Sequence, residues 1–268
     1  MTSVLFTAFT SRPDAVALAT HAVEVLSRQG VSSDFFGLDS DLAPTCDAAT
    51  LVVSLGGDGT FLRAARLAHG AGARVLAVNL GRVGFLLDVA ATDVVERVCE
   101  ALLHDEAVNR LALDVMMPDG SSVFALNEVV VERSAPGHMV HVTTFIDDNE
   151  FLTYSADGVM VATPTGSTGY SFSAGGPMVS AELQLLVVTP IAPHFTIDRS
   201  LVVAPSSTVR LQMSTKPALV VADSLVVGTL SAEQSVTVRQ SGTPVRVVRS
   251  TGFDMGSRLR ASLRQGHA

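Results

Sequence analysis

Only two cysteines, Cys46 and Cys99, occur in the 268 residues of the chain. Two thiols cannot build a disulfide framework or a four-ligand zinc site, and the plain reading is a pair of reduced thiols. Charge is also scarce: charged residues make up 16% of the chain and form no runs. With 47% of residues apolar there is material for a real core, so long disorder is not expected. Eighteen Lys and Arg stand against 26 Asp and Glu, a formal net charge of -8. A general nucleic-acid binder needs a basic footprint, so no nucleic-acid partner is expected. Mean hydropathy is positive, +0.39. Even so, Pro, Gly or polar residues interrupt every apolar run before the about 18 residues of a spanning helix, and no membrane partner is expected. Met1 to Thr10 carries no basic n-region or clear cleavage site, so no signal peptide is expected and the expected compartment is the cytoplasm.

A chain of this length is one large domain or two small ones. The first hundred residues alternate two patterns. Val4–Phe9, Leu51–Leu55 and Val75–Val78 are apolar runs that read as strands. Pro13 stands where a helix starts, Val16, Ala19, Val23 and Leu26 fall on one helical face, and Gly30 suits its end. Further helices are expected from Thr60 to about Ala68 and, capped by Thr92, to about Leu103. Alternation of this kind predicts a parallel, doubly wound sheet with ligands at the carboxyl ends of its strands. After about residue 105 short strand-like runs follow one another: Val123–Glu132, Met139–Ile146, Leu185–Val188, Leu201–Val203, Val209–Met213, Leu219–Val221, Val236–Arg239 and Val245–Val248. Turn residues between them predict a largely antiparallel β domain. The expected organisation is an α/β domain over 1–104, a β-rich domain over 105–251, and a terminal helix over about 252–268 that packs back on the first.

Gly56-Gly57-Asp58-Gly59-Thr60 lies between an apolar strand and a helix-like run. Such a turn aims backbone N–H groups and a helix dipole at a phosphate. It is neither a P-loop nor a dinucleotide fingerprint, because no Gly-Lys-Ser/Thr and no G-x-G-x-x-G follow. A carboxylate beside an anion is costly unless it handles a proton or a metal, so Asp58 points to phosphoryl transfer. The three glycines are expected to use positive φ and to let an anion approach. The plainer alternative is a tight turn with Asp58 as N-cap. Asn79 to Leu86 carries two more glycines after the third strand and fits a second wall of the cleft or an ordinary turn.

Asn127-Glu128 interrupts the apolar stretch from Ala125 to Val131. Adjacent strand residues face opposite ways, so one polar group points inward unless the strand bends. The pair fits a grip on vicinal ribose hydroxyls. Taken alone, it fits better an edge strand with a solvated Glu128. Between Thr163 and Ser173 the chain packs hydroxyls, glycines and Tyr170 at a density that suits a nucleotide, with the aromatic ring on a base. The alternative is a Ser/Thr-rich loop. His138 and His194 stand singly, without metal-ligand spacing.

Taken in order, Leu55 to Leu62, Asn79 with Gly84-Phe85-Leu86, Asn127-Glu128, Asp157-Gly158, Thr163 to Pro177, Pro190 to His194 and Arg199 resemble the NAD kinase family. The likeness is dense over residues 50–205. Asn-Glu followed by Thr-Pro-Thr-Gly-Ser-Thr-Gly-Tyr is its specific part, since lipid kinases also carry GGDGT. The resemblance implies a Rossmann-like N-terminal domain followed by a β-rich, β-sandwich-like domain, with NAD bound between them. It implies ATP or inorganic polyphosphate as donor, NAD as acceptor at the 2′-hydroxyl of its adenosine ribose, NADP as product, and a divalent metal, Mg²⁺, as cofactor. Asp58 becomes the proton acceptor. NAD contacts fall on Asp58, Gly59, Arg63, Asn127, Glu128, His138, Asp157, Thr168, Gly169, Tyr170, Ser171, Phe172 and Ser173. Donor contacts fall on Gly56, Gly57, Gly59 and Thr60, and no residue is assigned as a metal ligand. A homodimer or homotetramer is implied as well. Ser200, Val83 and Leu87 depart from the family's usual residues. A lipid kinase on the same loop and a catalytically silent NAD(P)-binding module are the competing readings.

Overall fold

The computed structural model describes residues 3–40, 44, 46–81, 89–104, 106–248 and 260. The glycine segment from Arg82 to Leu86, with Leu87, lies outside these residues, as does the helix expected over 252–268, Arg260 apart. Two compact units divide between Asn109 and Arg110 and again between Gly242 and Thr243. Among the described residues no helix is long and apolar enough to cross a membrane.

The first unit runs β1 (Val4–Ala8), α1 (Pro13–Arg28), β2 (Ser33–Gly37), β3 (Leu51–Gly56), α2 (Asp58–Ala71), β4 (Arg74–Asn79), β5 (Val89–Ala90), α3 (Val94–Leu103) and β6 (Ala107–Arg110). β1 pairs in parallel with β2 and β3, and β3 with β4. Every residue of β3 is buried, as a strand covered on both faces requires. Val4, Phe6, Ala8, Leu51 and Val53 pack with α1 and α3 in one cluster. Their neighbours in sequence face the other way, where α2 lies against β1, β3 and β4. This is the expected doubly wound sheet. The face of α1 is rotated from the expected one: Ala15, Ala19, Ala22 and Leu26 are buried, while Val16 and Val23 lie at its margin. Small alanines let the helix approach the sheet closely. Thr92 does not cap α3. It sits in a 3₁₀ turn, Ala91–Asp93, and its hydroxyl donates to Asp93 Oδ1.

The second unit runs β7 (Leu113–Met116), β8 (Ser122–Ala125), β9 (Glu128–Arg133), β10 (Val140–Ile146), β11 (Asn149–Ala156), β12 (Gly158–Ala162), α4 (Tyr170–Ser173), β13 (Leu186–Ile191), β14 (Leu201–Val203), β15 (Val209–Met213), β16 (Ala218–Ala222), β17 (Leu225–Leu230) and β18 (Ser235–Gln240). Two antiparallel sheets, ordered β11-β10-β15-β18-β7-β8 and β14-β13-β12-β9-β16-β17, share one core. Leu113, Val115, Val142 and Leu211 of the first sheet meet Val129, Val131, Val159, Val188 and Val220 of the second. The stretch read as one strand, Val123 to Glu132, is two strands in different sheets, with the break at Leu126-Asn127. The chain then returns to the first unit. β19 (Val245–Val248), read from sequence among the β-rich strands, pairs in parallel with β4 and stands between β4 and β6.

Candidate active site

In the first unit, β3 ends at Gly56 and α2 begins at Asp58. The N-cap is Gly57, with extended backbone at φ −106°, ψ −173°, and no side chain caps the helix. Asp58 is thus the first helical residue and not the cap. Nor do Gly56, Gly57 and Gly59 use positive φ: they sit in a strand, an extended cap and a helix. Their bareness has other causes. A Cβ on Gly56 would stand 2.3 Å from Thr60 Oγ1, so the buried Thr60 side chain requires a glycine there. At Gly57 and Gly59 no described atom lies within 4 Å of where a Cβ would be. The backbone at these two positions is open to an approaching group. The first amide N–H groups of a helix have no intrahelical carbonyl, and they carry the positive end of its dipole. Asp58 therefore places a half-buried carboxylate at an anion-binding terminus. Arg63 is half-buried further along α2. Asn79, opposite Gly56 in register, accepts the Gly81 N–H at its Oδ1 (3.0 Å), and the Leu80 N–H donates to the Gly56 carbonyl (3.1 Å). Turn and second strand end are tied together at the carboxyl edge of the sheet.

In the second unit Asn127 and Glu128 are buried, 8% and 5% exposed. Glu128 opens β9, which is flanked by β12 and β16 and is no edge strand. The edge-strand alternative with a solvated Glu128 is thereby overturned: the strand is paired along both edges and Glu128 is itself buried. Val129 and Val131 face the sandwich core, so Glu128 lies on the opposite face of its sheet. That face carries the segment after β12. The Thr163 hydroxyl donates to the Leu126 carbonyl (2.6 Å), the Thr163 N–H to the Asn127 carbonyl (2.8 Å), and the Gly166 N–H to Thr163 Oγ1 (3.2 Å). The position a Cβ would take on Gly169 lies 3.6 Å from Asn127 Nδ2 and 3.7 Å from Glu128 Oε2. The two side chains, adjacent in sequence, therefore both reach Gly169. Asn127 Oδ1 and Glu128 Oε2 are buried and take no hydrogen bond from the described residues. Burial, and then the Asp223 carboxylate, push the Glu128 carboxyl up to about 8, so it is protonated at neutral pH.

The hydroxyl-rich segment divides into two groups. Ser167 is buried: its hydroxyl donates to the Pro164 carbonyl (2.7 Å) and accepts the Val179 N–H (3.0 Å). Ser171 is also buried, 3.2 Å from Thr189 Oγ1, which lies 2.9 Å from Ser200 Oγ. Ser200, a departure from the family pattern, thus joins this hydroxyl chain at its partly buried end. Thr168 and Gly169 are half-buried, and Tyr170, Phe172 and Ser173 are exposed. Tyr170 lines a cleft with Glu132, Arg133, Asp157 and Ile191. Arg133 holds Asp157 at 3.1 Å. Burial pushes the Tyr170 phenol up, helped by Glu132 and Asp157, so the ring keeps its proton. His138 is exposed in the connection between β9 and β10, whose residues Ser134 to Pro136 also line this cleft. Among the described residues no group of three or more His, Cys, Asp or Glu could hold a metal ion. A Mg²⁺ that enters on phosphates needs only one or two carboxylates from the protein, and the single carboxylate at the α2 terminus fits that demand.

Asp223 was not among the residues singled out from sequence. Its only signal there is an Asp-Ser pair between two apolar runs, which reads as a turn.

Gly166 gives a direct test of this packing. A Cβ there would stand 2.2 Å from the Asn127 carbonyl oxygen. Gly166→Ala is expected to cost about 1–3 kcal/mol or more, read as a lower urea unfolding midpoint. Gly70→Ala, on α2 with no described atom within 4 Å, is the contrast and is expected to be neutral or stabilising by up to about 1 kcal/mol.

Sequence comparison decides the family. The profile of the ATP-NAD kinase N-terminal domain matches residues 8–107, and that of the ATP-NAD kinase C-terminal domain matches residues 126–250. The chain belongs to the NAD kinase family. It is 40% identical over 223 residues to the NAD kinase of Heliobacterium modesticaldum, covering 81% of this chain and 79% of that one. To the NAD kinase of Thermobifida fusca it is 35% identical over 285 residues, covering 96% and 87%. The crystal structure of an NAD kinase from Archaeoglobus fulgidus in complex with ATP superposes with a TM-score of 0.78 at 26% identity, covering 97% of this chain and 99% of that one. The residues on which the resemblance rested fall within these matches from Leu55 to Leu62 and from Asn127 to Arg199.

Proposed function

We infer that the protein is an NAD kinase, transferring a phosphoryl group from ATP to NAD to give NADP. One observation carries this: a glycine cap that sets a carboxylate, Asp58, in the first turn of a helix, within a chain matched by both NAD kinase profiles. The A. fulgidus complex supports ATP as donor.

In the proposed mechanism the bare backbone at Gly57 and Gly59 receives the donor phosphates, with Gly56 and Thr60 fixing the turn. Asp58 accepts the proton of the 2′-hydroxyl of the adenosine ribose as its oxygen bonds to phosphorus and the donor's bridging oxygen leaves. Asn127 and Glu128 accept hydrogen bonds from ribose hydroxyls, which supplies partners for two buried oxygens. Tyr170 packs on a base, with Asp157, Thr168, Gly169, Phe172 and Ser173 around it. Ser171 acts through its buried tie to Thr189. Arg63 and His138 supply further polar NAD contacts. Catalysis rests on positioning and charge stabilisation. Mg²⁺ supplies neutralisation of phosphate charge when bound, and Asp58 is the residue beside which it would sit. Residues 1–104 supply the donor turn with Asp58 and Arg63, and 105–251 the remaining NAD contacts, in a homodimer or homotetramer in the cytoplasm. Light scattering on the purified protein measures the subunit count.

The test is direct. Purified protein with Mg²⁺, NAD and ATP is expected to form NADP, followed with an NADP-specific dehydrogenase, and polyphosphate in place of ATP reports donor range. Phosphorylation of diacylglycerol but not of NAD would favour the lipid-kinase alternative. NAD binding without any NADP formed would favour a silent binding module.

A further inference from the structure

Asp223 sits in the turn between β16 and β17, 7% exposed, and is followed by Ser224. Both residues have positive φ, +48° and +66°. A buried carboxylate needs hydrogen-bond donors, and here they come from far away in the chain. Its Oδ2 accepts the Leu126 N–H at 2.8 Å, and its Oδ1 accepts the Asn127 N–H at 2.8 Å and the Glu128 N–H at 3.4 Å. In return the Asp223 N–H donates to the Glu128 carbonyl at 3.1 Å. These three N–H groups mark where the chain leaves one sheet of the sandwich and enters the other, so no strand ladder serves them all. The carbonyls of Leu126 and Asn127 are taken by Thr163. The three-residue break is thus held from both sides, its donors by Asp223 and its acceptors by Thr163.

The break has a geometric result that a continuous strand would not give. Neighbouring side chains on a strand diverge. Here Asn127 Nδ2 and Glu128 Oε2 both lie within 4 Å of the position a Cβ would take on Gly169, and Asn127 Oδ1 and Glu128 Oε2 are each buried without a donor among the described residues. Setting a carboxylate beside Glu128 also carries an electrostatic cost, since the two repel when both are charged. An amide or hydroxyl could close the same turn without that cost. Neither could accept at two oxygens, whereas a carboxylate accepts at both and so spans successive N–H groups.

We propose that Asp223 is a positioning residue for NAD: by fixing the backbone of Leu126–Glu128 it makes the Asn127 and Glu128 side chains converge into one binding element. The proposal rests on the NAD-kinase reading above, in which that pair grips the NAD ribose. Asp223 itself touches no reacting atom. It acts through the pair, so its loss weakens NAD and not ATP.

Two variants test this, both compatible with positive φ. Asp223→Asn keeps the size but offers one acceptor oxygen, and Asp223→Gly removes the acceptor altogether. Both are expected to fold. Each should raise KM for NAD, and Kd for NAD by calorimetry, about 10-fold or more, with KM for ATP held within about 2-fold. A residue that only stabilised the fold would leave both KM values alone or raise both. A folded variant with wild-type KM and Kd for NAD would overturn the proposal, as would equal losses for NAD and ATP. Failure of both variants to fold overturns it too, because Asp223 would then belong to the fold and not to the site. Wild-type protein is the control for the reading beneath it. If it binds NAD but forms no NADP, kinase activity is lost as an explanation while the calorimetric test of Asp223 stands. If it binds no NAD, both fall.

Discussion

Asp58→Asn is expected to lower kcat by about 10²- to 10⁴-fold, the range that a positioned proton acceptor contributes. The amide matches the carboxylate in shape but cannot take a proton at neutral pH. The loss should appear in kcat, with Kd for NAD by calorimetry changed only a few-fold, because the contacts at Asn127 and Glu128 are untouched. Unfolding is not a competing explanation. Asp58 is not the N-cap, which is Gly57, and the charge of an acid in the first helical turn is worth about 0.3–1 kcal/mol. The melting curve of the variant should therefore overlay that of the parent closely. Undiminished turnover would remove Asp58 from its role and leave the glycine turn as a phosphate site alone.

Glu128→Gln is expected to weaken NAD and to strengthen the fold. The Glu128 carboxyl is pushed up to about 8, first by burial and then by Asp223. Its ordinary value is 4.5. In the unfolded chain the proton leaves near the ordinary value, whereas in the folded protein it stays until about pH 8. The folded state thus binds more protons through this window, and stability falls as pH rises across it. Above it both states are ionised and the penalty is complete. Glutamine is neutral at every pH, so the variant should lose this slope and exceed the parent at pH 9 by an amount on the order of a few kcal/mol. Urea unfolding at pH 5, 7 and 9 measures it, and parallel pH profiles for the two proteins would refute it. For function the sign reverses. Losing an acceptor that can become charged is expected to raise KM for NAD about 10- to 100-fold. A gain in stability with a loss in binding is the pattern of a residue kept for the ligand.

What the sequence reveals of this fold follows burial. β1, β3 and β4 are apolar blocks because a parallel sheet covers both their faces, and such blocks are visible. β2, Ser33–Gly37, is half-exposed and mixed in composition, so no period betrays it. β11 is an edge strand with exposed residues, and β12 was hidden inside a stretch read for its chemistry. In the candidate site the residue types were legible, but the way they are brought together was not. Strand alternation sends Asn127 and Glu128 apart, and only the break in the chain sends them to one place. That break depends on Asp223, 96 residues beyond Asn127, and no local pattern carries such a dependence. The glycines of the turn were legible for a reason the structure replaces, steric room in place of unusual φ.

β19 enters the first sheet between β4 and β6, although the whole second unit separates it from both in sequence. A ribosome delivers the chain from its amino end, so the sandwich is fully synthesised before the sheet that precedes it can close. Until Val245–Val248 emerges, part of the β4 edge and the whole of β6 wait without their shared neighbour. Such an open edge is where a nascent chain is most prone to pair wrongly. The unit that carries the glycine turn begins translation first and finishes assembly last.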